Sequence, residues 1–217
     1  MSTNLKVSAA LVAAFAAVVA AFILLGRSDP PASADGGTGS GPQVVREDSH
    51  RLGEPGEGGV TVVEFLDLEC EACRAAYPFV EQLREDYAGR VTFVARYFPM
   101  PGHANAENAA VAVEAAAQQG AFEAMYRRMY ETQAEWGEQQ ESEAALFRTF
   151  AEELGLDLAA YDDAVADPAT LERVLSDRAD GLALGVQGTP TFFVNGEKVE
   201  VDTTAEFVEL IETALDE

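Results

Sequence analysis

Cysteine, lysine, histidine and tryptophan are all scarce in this chain of 217 residues: two cysteines, two histidines, one tryptophan, and Lys6 and Lys198 as the only lysines. Cys70 and Cys73 are too close in sequence to staple distant parts of a fold, so a hydrophobic core has to hold it, and with 48% apolar residues there is enough for one full-sized domain. The formal charge is −24. Phosphate recognition needs clustered Lys and Arg, so nucleic acid is excluded as an expected partner, and the acidity otherwise reads as a solvated surface. His50 and His103 lie 53 positions apart (103 − 50) and do not form the closely spaced second pair that a Cys-x-x-Cys zinc site uses. No metal or other cofactor is expected.

What is present is organised around Val60 to Pro78, VTVVEFLDLECEACRAAYP, an apolar β-branched run that opens into Cys70-Glu71-Ala72-Cys73. A Cys-x-x-Cys that leaves a strand and enters a helix puts its first sulfur at the helix N-terminus, where free N–H groups favour thiolate. The second sulfur, three residues on, shares that face, so a disulfide can open and close without backbone movement. Inert core cysteines are the plain alternative; the context points instead to reversible disulfide chemistry.

Residues 1–27 contain an apolar stretch of 19 residues, Val7 to Leu25, eight of them Ala. As a helix it would span about 28 Å, just enough for a hydrocarbon core of about 30 Å. A single-pass membrane anchor is expected, with a cleaved signal ending near Ala34 as the alternative. Residues 28–42, rich in Pro, Gly and Ser, read as a flexible tether, and residues 43–217 as the working domain. Within it, Val44-Val45 suggest a short edge strand, Val60–Leu66 a central strand, then a helix to about Tyr87 with Pro78 inside it, and Val91–Phe98 a second strand. Helices are expected near 105–119, 121–132, 143–154, 158–165 and 168–184, with Phe122, Met125, Tyr126, Met129 and Tyr130 as a core stripe and Trp136 packed in the same region rather than touching a ligand. Thr191–Val194 and Glu197–Val201 form a hairpin about Asn195-Gly196. A capped helix then begins at Thr203, burying Phe207, Leu210, Ile211, Ala214 and Leu215. The order βαβ, helical block, ββα describes an α/β fold.

That order, with EFLDLECEAC, FPMPGH, EAMYRRMYETQAEW and GVQGTPTFFVNGE in sequence, resembles the DsbA-like thiol–disulfide oxidoreductases: a thioredoxin-like fold with an inserted helical domain, here about 103–184, of the membrane-anchored bacterial type. The resemblance implies Cys70 as nucleophile, Cys73 as buried resolving thiol, and Pro190 as a cis-proline facing them. The backbone of Thr189 would then hold a substrate segment. It also implies oxidation of cysteine-containing exported proteins outside the cytoplasm, with a membrane redox partner for re-oxidation. The same fold can run as a reductase or isomerase, or serve as a tethered peptide-binding module that barely cycles its cysteines.

Glu64, six residues before Cys70, lies in an apolar run; if turned inward its pKa is raised and it can exchange a proton with Cys73, while strand alternation also allows an exposed acid. Strongly oxidising relatives carry uncharged residues between the cysteines, whereas here Glu69 precedes and Glu71 lies between, and two carboxylates beside a thiolate raise its pKa. Arg74, one turn on, could offset part of this or remain a solvated arginine, and His103 could approach the cysteines or remain a loop residue. Glu71→Gln is therefore expected to lower the Cys70 pKa, read from the pH dependence of thiolate absorbance; no change, or a rise, would contradict the electrostatic account.

Overall fold

The computed structural model describes residues 41–217, so the expected anchor and nearly all of the tether lie outside the described residues. The strands are β1 (His50–Arg51), β2 (Val60–Leu66), β3 (Val91–Tyr97), β4 (Thr191–Val194) and β5 (Glu197–Lys198). The helices are α1 (Glu71–Asp86), α2 (Ala106–Ala117), α3 (Phe122–Trp136), α4 (Ala144–Glu153), α5 (Leu158–Ala166), α6 (Pro168–Ala183) and α7 (Thr204–Leu215). They build a thioredoxin-like α/β fold in which α2 to α6 stand between β3 and β4. Among the described residues no helix is long and apolar enough to cross a membrane.

The sheet runs β1-β3-β2-β4-β5. β2 and β3 pair parallel, Val60 opposite Val91 through Leu66 opposite Tyr97, and the other pairs are antiparallel. Parallel pairing requires a crossover, which α1 supplies. β2 is buried on both faces, as a central strand must be. Val60, Val62 and Leu66 join the larger core with α1, α3 and α7, while Val63 and Phe65 face Phe98, Val186 and Phe193 on the other side. The β4–β5 turn carries the two positive φ values that favour Asn-Gly, 50° at Asn195 and 90° at Gly196. The capping box at Thr203 and Glu206 is present.

Several boundaries differ from expectation. Val44-Val45 form no strand, because the carbonyls of Gln43 and Val44 accept from Arg96 Nη1 at 2.9 and 2.8 Å instead of from a ladder; the edge strand is β1. α3 extends to Trp136, whose buried indole packs edge-on against Phe147 with ring centres 4.9 Å apart. β5 stops at Lys198, although the Val199 N–H still donates to Phe192 O at 2.9 Å. On α7, Leu210 is 37% exposed and the part-buried place goes to Val208.

Arg96 of β3 is fully buried, at 0% exposure. Its Nε and Nη2 each donate at 2.7 Å to Asp177 and Asp180 of α6, and Asp180 is also bound by Arg46. Asp177 in turn accepts the Tyr97 N–H at 3.1 Å and pairs with Arg173 at 2.7 Å. The network draws α6 onto the sheet, so closely that a Cβ at Gly181 would come within 2.7 Å of the Phe98 ring. Removing the cation would leave Asp177 relying on Arg173, and Asp180 on Arg46, for counter-charge in a buried site. Arg96→Met is expected to cost about 3–5 kcal/mol in urea unfolding. Arg148→Ala, which breaks an exposed pair with Asp162, should shift the unfolding midpoint far less, because solvent screens that pair. Equal effects would mean that the buried network is not what holds α6.

Candidate active site

The chain leaves β2 at Leu66 and turns over Asp67 to Glu69 before α1 begins. Cys70 is the N-cap residue, with φ −67° and ψ 122°, and its N–H donates to Asp67 O at 3.1 Å. Asp67 holds this turn together, its carboxylate accepting the N–H groups of Glu69 (2.8 Å) and Met100 (2.9 Å) and bonding His103 Nδ1 (2.6 Å). Glu69 is buried, and its two oxygens accept the N–H groups of Asn105 (2.6 Å) and Glu138 (3.1 Å). From α3, Gln133 Nε2 donates to the carbonyls of Leu68 (2.6 Å) and Cys70 (3.0 Å). The cysteine-bearing turn is thus fixed from three directions.

Both cysteines are thiols here; Cys70 is half-buried and Cys73 has 0% exposure. The Thr189–Pro190 peptide is cis, and Cys70 Sγ lies 3.4 Å from the Thr189 carbonyl. The sheet register accounts for the meeting, since β2 and β4 are antiparallel neighbours with Phe65 opposite Thr191. The end of β2 that leads to Cys70 therefore adjoins the start of β4.

The two thiols are driven apart electrostatically. Cys70 is lowered to about 5, chiefly by hydrogen bonding from Cys73, then by Thr189 and the N–H groups of Cys73 and Ala72, with partial burial opposing. Burial, the bond to Cys70 and the charge of Glu64 push Cys73 far above the usual thiol range. Glu64 faces the larger core at 4% exposure and is pushed up to about 8 by burial, then by the charges of Cys70 and Glu81.

Of the other residues singled out in the sequence, Glu71 is exposed in the first turn of α1 and shares a shallow pocket with Arg74, Gln133 and Glu138. His103 is raised: partial burial opposes this, but Asp67, with Glu69 and Cys70, outweighs it. His50 stacks on Phe122 at 4.1 Å and bonds Glu114, away from the thiols. Glu69 and Glu71 are not among the leading influences on Cys70. For Glu69 the reason is geometric, since its charge is spent on two backbone amides. Sequence reasoning passed over Asp67, Gln133 and Asn105. Gln133 left a trace, a polar residue seven positions after Tyr126 on the buried face of α3, whereas Asp67 and Asn105 left none.

A family model described as Thioredoxin matches residues 46–213. The chain belongs to the thioredoxin family. Within that family its fold is that of the DsbA-like thiol–disulfide oxidoreductases. It is similar to a thioredoxin-like oxidoreductase from Silicibacter pomeroyi, at 29% identity and a TM-score of 0.66 over 79% of this chain and 95% of that one. Wolbachia pipientis alpha-DsbA1 shares the fold at 18% identity and a TM-score of 0.68, covering 79% and 93%. A curated relative, the Na(+)/H(+) antiporter NhaA 3 of Salinispora tropica, is 39% identical over 155 residues, which is 71% of this chain but only 23% of that protein.

With the folded Cys70 lowered to about 5, the alkylation rate of the reduced protein should rise through that pH and level off by neutrality, with Cys73 unreactive throughout. A folded pKa below the unfolded thiol value of about 8.5 stabilises the reduced form. That gain is complete above the unfolded value and lost as pH falls through about 5. The reduced protein should therefore melt above the oxidised one at pH 7, and the gap should close toward pH 4.5; a gap that widens with acid would overturn the assignment.

Proposed function

We propose that this thioredoxin-family chain is an enzyme, a thiol–disulfide oxidoreductase that works as an oxidase on extended, cysteine-containing segments of exported proteins. The observation that carries the reading is the split between the two thiols, Cys70 lowered to about 5 and Cys73 raised by burial. A stable Cys70 thiolate favours the reduced form, and that makes the disulfide form oxidising. Each pKa unit by which the thiolate is favoured is worth about 30 mV for a two-electron couple.

In this reading a substrate thiolate attacks Cys70 Sγ of the Cys70–Cys73 disulfide. A mixed disulfide forms at Cys70, and Cys73 leaves as a thiolate. Glu64, protonated near neutrality, gives its proton to Cys73, which its own burial makes a strong base. A second substrate thiolate then attacks the substrate sulfur of the mixed disulfide, releasing Cys70 thiolate and an oxidised substrate. Two electrons pass from the two substrate thiolates to the enzyme disulfide. The Thr189 backbone, beside Cys70 at the start of β4, holds the segment by main-chain hydrogen bonds.

Work outside the cytoplasm, from a single-pass anchor and beside a membrane redox partner that re-oxidises the dithiol, is part of the proposal. It is supported by the apolar run Val7 to Leu25 and by a curated relative named as an antiporter.

Equilibrating the full chain in glutathione buffers tests the direction. A midpoint at or above about −180 mV is expected, while one near −270 mV would make it a reductase or isomerase. Cys70→Ala should abolish turnover of a reduced peptide; function that survives it would mean a binding module.

A further inference from the structure

We propose that Gln133 is a positioning residue for the nucleophile: its carboxamide clamps the main chain of the turn that carries Cys70 and thereby sets how oxidising the Cys70–Cys73 couple is. The proposal rests on the reading of this chain as a thiol–disulfide oxidoreductase, and it names the residue through which the helical block acts on that chemistry.

The carbonyls of Leu68 and Cys70 both accept from Gln133 Nε2, at 2.6 and 3.0 Å. The Cys70 carbonyl also accepts the Arg74 N–H at 3.1 Å, the bond that opens α1, so Gln133 takes its second lone pair. A carboxamide nitrogen carries two hydrogens and no charge. One side chain can therefore serve both carbonyls without placing an ion at a residue that is only 2% exposed. Serine and threonine have a single hydrogen to give, and lysine or arginine would bring a charge with them. Among the described residues no other side chain bonds the main chain of either cysteine.

What the clamp fixes is the direction of Cys70 Sγ. The thiolate relies on the Cys73 thiol and on the N–H groups of Cys73 and Ala72, all in the first turn of α1. Those groups reach Sγ while Cys70 keeps its N-cap backbone, φ −67° and ψ 122°. The Cys70 carbonyl turns with ψ, and the Leu68 carbonyl marks the chain on the other side of the residue. Holding both to one buried side chain holds that angle.

The end of α3 is built to keep the amide in place. Trp136, with no exposed surface, packs the last turn against Phe147, and Gln133 O accepts the Gly137 N–H at 2.7 Å. The helix ends at Gly137, where a Cβ would come within 2.9 Å of Gln133 O and 3.4 Å of Gln133 Cγ. Glycine there leaves the stem of Gln133 its room. One residue on, the Glu138 N–H is bound to Glu69, so this stretch is tied to the cysteine-bearing turn a second time.

Gln133→Leu has nearly the volume of the native side chain and gives neither hydrogen. Prepared as the full chain and equilibrated in glutathione buffers, it should hold its disulfide about tenfold more firmly than wild type, a midpoint lower by about 30 mV. The midpoint of its Cys70 alkylation curve should rise by about one pH unit. Gly137→Ala, which disturbs the clamp without touching the amide, should move both quantities the same way by less and add little on top of Gln133→Leu. If Gln133→Leu does not fold, the more adaptable Gln133→Met carries the same expectation. A hydrogen bond that only supports the fold stabilises oxidised and reduced protein equally. Its loss would lower both melting temperatures together and leave the redox midpoint and the alkylation curve in place, and that result would overturn the proposal. Wild-type protein separates the two ideas: if it does not exchange with glutathione at all, the oxidoreductase reading fails. If it exchanges and the variants match it, that reading stands and the clamp alone is wrong.

Discussion

A guanidinium with no exposed surface has to be compensated on every side, and Arg96 is. Two carboxylates and two main-chain carbonyls take its donors, and the Phe65 ring lies 5.3 Å from its central carbon. The partners come from three places: α6, the segment before β1, and the central strand. Their common attachment to β3 decides where α6 ends. The Val186 N–H donates to Gly181 O at 2.8 Å, so the end of that helix launches the run into Thr189 and Pro190. The backbone that faces Cys70 is aimed by an ion pair on the far face of the sheet.

On the near face the asymmetry of the two sulfurs follows from position alone. Cys70 caps α1, with N–H groups of the first turn around it and solvent on one side, and Cys73 lies one turn deeper on the face that meets the sheet. The same helical geometry that lets them bond to each other puts one in a field that favours negative charge and the other where charge is costly. The acidic residues beside the motif do not reverse this. The side chain of Glu69 is turned into the fold to bind two amides, and Glu71 lies in the solvated first turn.

The order of elements, the helical block and the reactive cysteine pair were legible because each leaves a local mark: β-branched runs, a 3.6-residue period, a Cys-x-x-Cys at a strand–helix junction; the meeting of Cys70 with Thr189-Pro190 was implied only by the family resemblance. The inward turn of Glu64 followed once β2 was known to be covered on both faces, which alternation alone could not decide. What was not legible depends on meetings across the chain. Arg96 reads as one polar residue in a strand, and only the arrival of Asp177 and Asp180 from 81 and 84 positions away makes it a core residue. Asp67 and Asn105 are ordinary loop residues until their hydrogen bonds are seen. Val44-Val45 had the composition of a strand and lost the ladder to a side chain.

Glu69 binds the N–H of Asn105, at the head of α2, and of Glu138, just past the end of α3. Asn105 in turn bonds the carbonyls of Gln139 and Glu141 and the N–H of Glu143. The helical block is therefore not an appendage set into a loop of an older sheet. Its first residue and its longest internal turn are fastened to the position next to the nucleophile. The sheet and the block cannot be exchanged between relatives as separate parts, because the seam between them passes through the reactive centre itself.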